Sequence, residues 1–290
     1  MAVPAAALAL LAAVLFGAGV PLSKILLKGA SPAALAPLFY LGSGILLALT
    51  RLLWKGRGGT PLSRRDLPWL AASTLCGGML APLILLWGLQ RVGGLASSLL
   101  LNLEGVFTVL LAWALFREKV GGRVLAAVAL AAAGAVWLTA PQEGSTTLAG
   151  ALAVAASCAC WGMDNNVTRR ISGADPLVLG FWKSLVAGLV GAGIALALGV
   201  EVPGWGTVLG ALAVGALSYG ASLACFILAL RGLGASRTAA YFGVAPFAGA
   251  LMSILLLGER PTLAVGGAGV LMAVAVGLLL GEEAWYPASR

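Results

Sequence analysis

The chain has 290 residues, of which 61% are hydrophobic and 10% are charged, and its mean hydropathy is +1.03. A water-soluble globule of this length needs more polar surface than this composition supplies, so we expect an integral membrane protein. The net charge of +8 would suit nucleic-acid binding in a soluble chain. Here the basic residues fall in short loops between apolar segments, so we expect no nucleic-acid partner and a lipid bilayer instead.

Apolar runs long enough to cross a bilayer follow one another along the whole chain. Short linkers separate them, and no linker has room for a soluble domain. No basic segment precedes the first run, so we interpret it as a membrane span and not as a cleaved signal peptide. The ten predicted spans are 4–26, 33–53, 68–89, 94–115, 122–139, 148–168, 177–199, 206–229, 236–257 and 262–281.

The distribution of Lys and Arg predicts the orientation of these spans. With a cytoplasmic N-terminus, thirteen of the 18 basic residues lie in cytoplasmic segments, four lie outside and Lys183 lies within a span. The asymmetry also favours an even number of spans, because both termini then lie in the cytoplasm. We expect a multi-pass protein of the inner or plasma membrane.

Two stretches of the sequence, 88–119 and 229–260, follow nearly the same pattern. In each, a basic turn precedes an apolar helix that a small residue or Pro interrupts, and a charged turn follows. The sequence therefore predicts two five-helix units, 1–145 and 146–290. Because five is odd, the two units enter the membrane from opposite sides. Such inverted repeats place a substrate site at their interface near the middle of the bilayer and expose it alternately to the two sides.

The closing segments of both units resemble a known family. Residues 102–105 with 117–120, and 244–246 with 258–262, resemble the two domains of EamA-type carriers of the drug/metabolite transporter superfamily. The resemblance covers essentially the whole chain and implies an all-α membrane protein of ten transmembrane helices. It implies no particular substrate, because this family moves amino acids, nucleobases, amines, sugars and other metabolites on one scaffold.

Glu104 lies near the middle of the fourth span, where an unpaired carboxylate costs about 2.5–3.5 kcal/mol. At helical spacing Ser97, Glu104 and Thr108 share one face, which we interpret as the wall of a cavity. The alternative is a protonated Glu104 that packs against a neighbouring backbone. If the carboxyl faces a cavity, its protonation is a candidate step for coupling protons to transport.

The ninth span is expected to form the opposite wall of this cavity. Under the offset of the repeat, Glu104 corresponds to Ala245, and the same face of the ninth span carries Thr238 and Tyr241. A carboxylate that faces a hydroxyl and a phenol suits an amine or a zwitterion. The alternative for Tyr241 is ordinary packing of an aromatic ring.

The sixth span carries a second polar cluster at residues 161–166. Trp161 shares one face with Asp164 and an adjacent face with Asn165, so at least one of these polar residues faces the interior. Asp164 and Lys183 of the seventh span are expected to neutralise each other as a pair. A structural ion pair, a gate and a snorkelling Lys183 remain open as interpretations.

Gly and Pro residues interrupt the backbone hydrogen bonds of three spans, which a membrane tolerates only where protein or water satisfies the freed groups. Such positions are hinge candidates. They are Pro21 in the first span, Gly78 and Pro82 in the third, and Gly243 and Pro246 in the ninth.

The composition excludes several chemistries. The chain has no His and no GxxxxGK[ST] loop, so we expect no His-based catalysis, no metal, no cofactor and no ATP-driven transport. The sequence predicts a secondary active or facilitative transporter of a small organic metabolite such as an amino acid or an amine, with export as the expected direction. The alternatives are a membrane-embedded enzyme that acts on a lipid or lipid-linked substrate, and a scaffold or receptor-like protein.

Reporter fusions test the predicted orientation. Fusions placed at Arg57 and at Arg290 are both expected to report the cytoplasm, because basic loops remain on that side of the membrane. A signal from the opposite side at either position would contradict the inverted-repeat interpretation.

Overall fold

The structure is a computed structural model, and it describes residues 4–53, 60–117, 120–139 and 147–285. In this part of the chain the regular secondary structure is helical, and the one β-type contact is an isolated bridge between Thr60 and Ala174. Arg57 and Arg290, on which the orientation test depends, lie outside the described residues.

The helices follow the predicted spans closely, and we number them α1 to α10. The first half contains α1 (Ala5–Leu26), α2 (Pro32–Leu53), α3 (Leu67–Leu89), α4 (Gly94–Leu100 and Leu103–Phe116) and α5 (Gly122–Thr139). The second half contains α6 (Leu148–Thr168), α7 (Pro176–Ala197), α8 (Trp205–Leu233), α9 (Ala235–Phe242 and Ala245–Leu257) and α10 (Leu263–Trp285).

Eight helices among the described residues are long and apolar enough to cross a membrane. α6 is not one of them, because the polar residues 164–166 lower its mean hydropathy. In α10 the described side chains give the apolar stretch Leu263–Leu279. The all-helical, multi-pass architecture is therefore supported, and the count of ten spans stays a prediction.

Helices of the two halves pack in equivalent pairs. α1 packs against α8 and α9, and its counterpart α6 packs against α3 and α4. α2 packs against α7, α4 against α9 and α5 against α10. At the α2–α7 crossing, Ser43 and Ser184, themselves 141 positions apart, lie within hydrogen-bond distance of each other at 3.0 Å. Replacing each helix by the one five places along thus reproduces the packing, as expected of two repeats.

Two close helix crossings show the same equivalence in atomic detail. A Cβ at Gly17 in α1 would collide with the backbone of α9 at Ala245 and Gly249. A Cβ at Gly162 in α6 would lie 2.8 Å from the backbone N of Thr108 in α4. Because Gly249 and Thr108 occupy the same position in their repeats, each crossing is the counterpart of the other.

Irregular backbone also recurs at equivalent positions. Thr74–Leu80 in α3 and Gly215–Ala221 in α8 are π-helical, and their first residues are 141 positions apart. α4 is interrupted at residues 101–102 and α9 at residues 243–244. Since irregular backbone occurs at equivalent positions in both halves, it is a feature of the repeated unit itself.

The predicted hinge residues fall mostly at these irregularities. Gly78 lies within the π-helical turn of α3, and Pro82 is the second residue after that turn. Gly243 lies in the interruption of α9, and Pro246 is the second residue of its second segment. Pro21 is different, because it lies inside the uninterrupted helix α1. Movement at any of these positions stays a prediction.

Adding a methyl group at Gly17 or Gly162 tests the close crossings. Either Gly→Ala change forces two helix backbones apart, and we expect a loss of about 1–3 kcal/mol in the free energy of unfolding. The melting temperature of the purified protein in detergent measures it. Gly193→Ala in α7 is the matched control, since nothing lies within 4 Å of a Cβ there. The control should keep or raise the melting temperature, because Ala favours a helix over Gly; equal values for all three variants would contradict the close packing.

Candidate functional site

A cavity of about 1190 Å³ lies between the two halves of the molecule. Side chains of α1, α2, α4 and α5 line it from the first half, and those of α6 to α10 line it from the second. The cavity therefore lies at the interface where the repeats predict a substrate site. Among the described residues, the charged side chains that line it are Glu104, Asp164 and Lys183.

Glu104 lies in the first turn of the second segment of α4, just after the interruption of that helix. Asn165 of α6 donates from Nδ2 to Glu104 Oε1 at 3.0 Å and to Thr108 Oγ1 at 3.2 Å. The Thr108 hydroxyl donates to the backbone carbonyl of Glu104 at 2.8 Å. A carboxylate, an amide and a hydroxyl from two helices thus form one polar cluster on the cavity wall, with a side chain and not a backbone group as the partner of the carboxyl.

Asp164 and Lys183 form the predicted ion pair, with Lys183 Nζ in contact with Asp164 Oδ2. The other oxygen, Oδ1, accepts hydrogen bonds from the hydroxyls of Ser73 at 2.5 Å and Thr168 at 3.1 Å. Both carboxylate oxygens are therefore satisfied, which offsets the cost of taking the charge out of water. Gly77 in the π-helical turn of α3 is necessary for this arrangement, because a Cβ there would collide with the Asp164 carboxylate.

Six aromatic side chains, which we call the aromatic wall, line the cavity from five helices. The ring of Phe16 has its centroid 6.4 Å from that of Trp161, 6.2 Å from Tyr219 and 5.5 Å from Phe242. These spacings are typical of favourable aromatic contacts. The aromatic wall consists of Phe16, Tyr40, Trp161, Tyr219, Phe226 and Phe242.

The polar ends of two rings in the aromatic wall bind one backbone carbonyl. The carbonyl oxygen of Gly77 accepts hydrogen bonds from Tyr40 Oη at 2.5 Å and from Trp161 Nε1 at 3.1 Å. Gly77 lies in the π-helical turn, where the ordinary helical hydrogen-bond pattern is interrupted. The polar atoms of Tyr40 and Trp161 are thus already hydrogen-bonded within the protein.

Sequence reasoning found Trp161 and missed the other members of the aromatic wall. These five rings come from four helices, and only Tyr219 and Phe226, seven residues apart in α8, lie on the same helix. One signal was present in the repeat, because Phe16 and Trp161 occupy equivalent positions 145 residues apart.

Three predicted site residues are absent from the described cavity lining. Ser97 is fully buried in the first segment of α4. Because every residue of Gly94–Leu100 is buried, Ser97 does not reach the cavity from this segment. Thr238 is also buried and donates to the carbonyl of Gly234 at 2.8 Å, and Tyr241 is 37% exposed. α9 still lines the cavity, but through Ala239, Phe242 and Ala245 and not through Thr238 or Tyr241.

The first segments of α4 and α9 are equivalent in the repeat but lie in different environments. Every residue of Gly94–Leu100 is buried. Among the described side chains of Ala235–Phe242, Thr238 is the buried one, and Ala239 and Phe242 line the cavity. The cavity is therefore shut along one of these segments and reaches the other.

Two charged side chains hold the buried segment of α4 at its start. Glu259, in the turn after α9, accepts hydrogen bonds from the backbone N–H groups of Gly94 and Leu95 at 2.7 Å each. Lys24 at the end of α1 donates to the carbonyl groups of Leu89, the last residue of α3, at 2.8 Å and of Val92 in the α3–α4 connection at 2.6 Å. A carboxylate at a helix N-terminus and an ammonium at a helix C-terminus both complement the helix dipole. We call these contacts the Lys24–Glu259 closure.

The described residues include no group of three or more His, Cys, Asp or Glu side chains that could hold a metal ion. The four cysteines there are free thiols, and those of Cys76, Cys160 and Cys225 are partly accessible. The binding groups of the cavity are thus a carboxylate, an ion pair, amides, hydroxyls and aromatic rings.

Comparison with known protein families identifies the family of this chain. A model of the EamA-like transporter family matches residues 3–140 and, a second time, residues 148–281. The chain is 29% identical over 287 residues to an uncharacterized transporter of Methanothermobacter thermautotrophicus, covering 92% of the chain and 83% of the relative. It is 34% identical over 186 residues to an uncharacterized protein of Pseudomonas aeruginosa, covering 61% and 64%. A solved crystal structure shares the fold, with a TM-score of 0.68 at 19% identity over 99% of both chains.

Alanine substitutions test whether Asp164 and Lys183 stabilise the protein as a pair. Either single change leaves a charge unpaired in a low-dielectric setting, and we expect a loss of about 3 kcal/mol in the free energy of unfolding. The double variant should recover much of that loss, and thermal unfolding of all three proteins measures it. Glu201→Ala is the control, because Glu201 is an exposed acid in the α7–α8 connection. Additive losses in the double variant would show that the two charges act independently.

Proposed function

The chain belongs to the EamA-like transporter family, and from this premise we propose that it is a secondary transporter that moves a small organic metabolite through the cavity between its two halves. Family membership and the transporter-named relative point to transport and not to enzymatic chemistry. The substrate classes that we propose are amines and amino acids, because a carboxylate, hydroxyls and aromatic rings line the cavity.

The observation that carries this proposal is the unlike environment of two equivalent segments. Gly94–Leu100 is packed shut, whereas Ala235–Phe242 borders the cavity. In an inverted repeat, exchanging these two environments opens the cavity to one side of the membrane as it closes to the other. We propose that this exchange is the transport step, and that the Lys24–Glu259 closure breaks in it.

The direction of opening follows from the basic residues. Arg117 and Arg123 flank the α4–α5 connection, which the positive-inside rule places in the cytoplasm. Val120 and Gly121 of this connection line the cavity. The described conformation would then receive a substrate from the cytoplasm, which supports export across the inner or plasma membrane with both termini in the cytoplasm.

Glu104 is the group that we propose to bind the substrate and to exchange protons with it. Its carboxyl lies on the cavity wall and is held by Asn165, so a bound cation or water reaches it directly. A carboxyl that binds a proton in one conformation and a substrate in the other couples the two movements. The partners implied are a small-molecule substrate, protons and the lipid bilayer.

Proteoliposomes that contain Glu104→Gln test this mechanism. The variant keeps the shape and hydrogen bonding of the side chain but cannot titrate. We expect it to insert and fold, and to lose the pH dependence of uptake for a panel of radiolabelled amines and amino acids. Glu201→Gln is the control, since Glu201 is an exposed residue outside the cavity. If no compound crosses with the native protein, transport of this substrate class is excluded; unchanged rate and pH dependence in Glu104→Gln would make Glu104 a packing residue.

A further inference from the structure

We propose that the cavity selects an organic monocation with an aromatic or apolar body and rejects a zwitterionic amino acid. The inference rests on the proposed transport function, because it narrows the substrate class of the same cavity.

The first step is the charge balance of the lining. Asp164 and Lys183 neutralise each other, and the carboxylate of Asp164 is also hydrogen-bonded to Ser73 and Thr168. Glu104 is then the one uncompensated charge among the described side chains that line the cavity. Its partner Asn165 is a neutral amide, which orients the carboxylate without cancelling its charge. The described wall therefore complements a single positive charge.

The aromatic wall also favours a positively charged ligand. The face of an aromatic ring is the negative part of its quadrupole, and it attracts a cation. The hydroxyl of Tyr40 and the indole N–H of Trp161 are both bound to the Gly77 carbonyl. These two polar donors are thus not free to bind a substrate carboxylate, so the two residues offer mainly ring surface to a ligand.

A zwitterion is at a disadvantage in this setting. Its ammonium group can bind Glu104, but its carboxylate needs a positive partner, and the described lining has one cation, Lys183, whose charge Asp164 already neutralises. A carboxylate buried without a partner is costly in a low-dielectric site. The zwitterion therefore gains the same attraction as a monocation and carries an additional desolvation cost.

The size of the cavity fits an organic cation and not a simple inorganic one. Its volume of about 1190 Å³ exceeds the roughly 300–1,000 Å³ of ordinary small-molecule pockets. A ligand that fills the cavity contacts both Glu104 and the aromatic wall, whose six rings come from both halves of the chain.

Binding of three matched phenyl compounds to the purified full-length protein tests the inference. Phenethylamine and phenylalaninol are cations, whereas phenylalanine is a zwitterion, and phenylalaninol matches phenylalanine closely in size. Isothermal titration calorimetry in nanodiscs is expected to show both cations binding at least about tenfold more tightly than phenylalanine. Equal or tighter binding of phenylalanine would overturn the inference, as would no detectable binding of either cation.

Two variants test which residues cause the preference for cations over phenylalanine. Glu104→Gln should weaken both cations by about tenfold and change phenylalanine little, while Glu201→Gln should change none of the three. Asp164→Asn keeps the shape of the side chain but releases the charge of Lys183, so the preference for the cations over phenylalanine should shrink. The preference is expected to shrink because Asp164→Asn binds phenylalanine more tightly. A folding defect cannot produce such a gain in binding. Unchanged selectivity in both variants would refute the charge-balance argument.

Counterflow in proteoliposomes separates this inference from the proposed function. If phenethylamine binds selectively but does not exchange across the membrane, the transport proposal fails and the charge selection stands. If phenylalanine exchanges and phenethylamine does not, the transport proposal stands and the inference fails.

Discussion

Asp164 is a carboxylate in the interior of a membrane protein, and neighbouring groups must neutralise it there. Lys183 of α7 supplies the opposite charge, and hydroxyls of α3 and α6 satisfy the second oxygen. The carboxylate fits only because Gly77 has no side chain. One charge thus ties together α3, α6 and α7, which come from both halves of the chain.

The backbone around Gly77 links this ion pair to the cavity. The π-helical turn that accommodates Asp164 also presents the Gly77 carbonyl to Tyr40 and Trp161. The turn therefore orients two rings of the aromatic wall as well as making room for the carboxylate. Gly215–Ala221 in α8 is the equivalent turn of the second half, and Tyr219 of the aromatic wall belongs to it. π-helical turns of this kind are frequent at functional sites, because they redirect backbone and side-chain groups without ending the helix.

The cavity combines two symmetry-related walls of different character. Glu104 and Ala245 occupy equivalent positions, so the repeat supplies a carboxylate on one side and an apolar residue on the other. The environments of the first segments of α4 and α9 differ in the same way, one buried and one bordering the cavity. The unlike environments are expected, because each conformation of an inverted repeat is asymmetric. The difference between Glu104 and Ala245 is one of residue type and persists in every conformation.

Much of this architecture was accessible from the sequence because it depends on features that repeat or on charges that must be paired. Apolar length predicted the helices, the recurrence of 88–119 at 229–260 predicted the two halves, and the cost of burying charge predicted the pair of Asp164 and Lys183. Tertiary structure alone decided how far the cavity extends along each helix. Burial of the whole segment Gly94–Leu100 keeps Ser97 out of the cavity, and contacts between helices assemble the aromatic wall from residues far apart in the chain. Periodicity describes the faces of a single helix, so it carries no information on which end of that helix is buried or on contacts between helices.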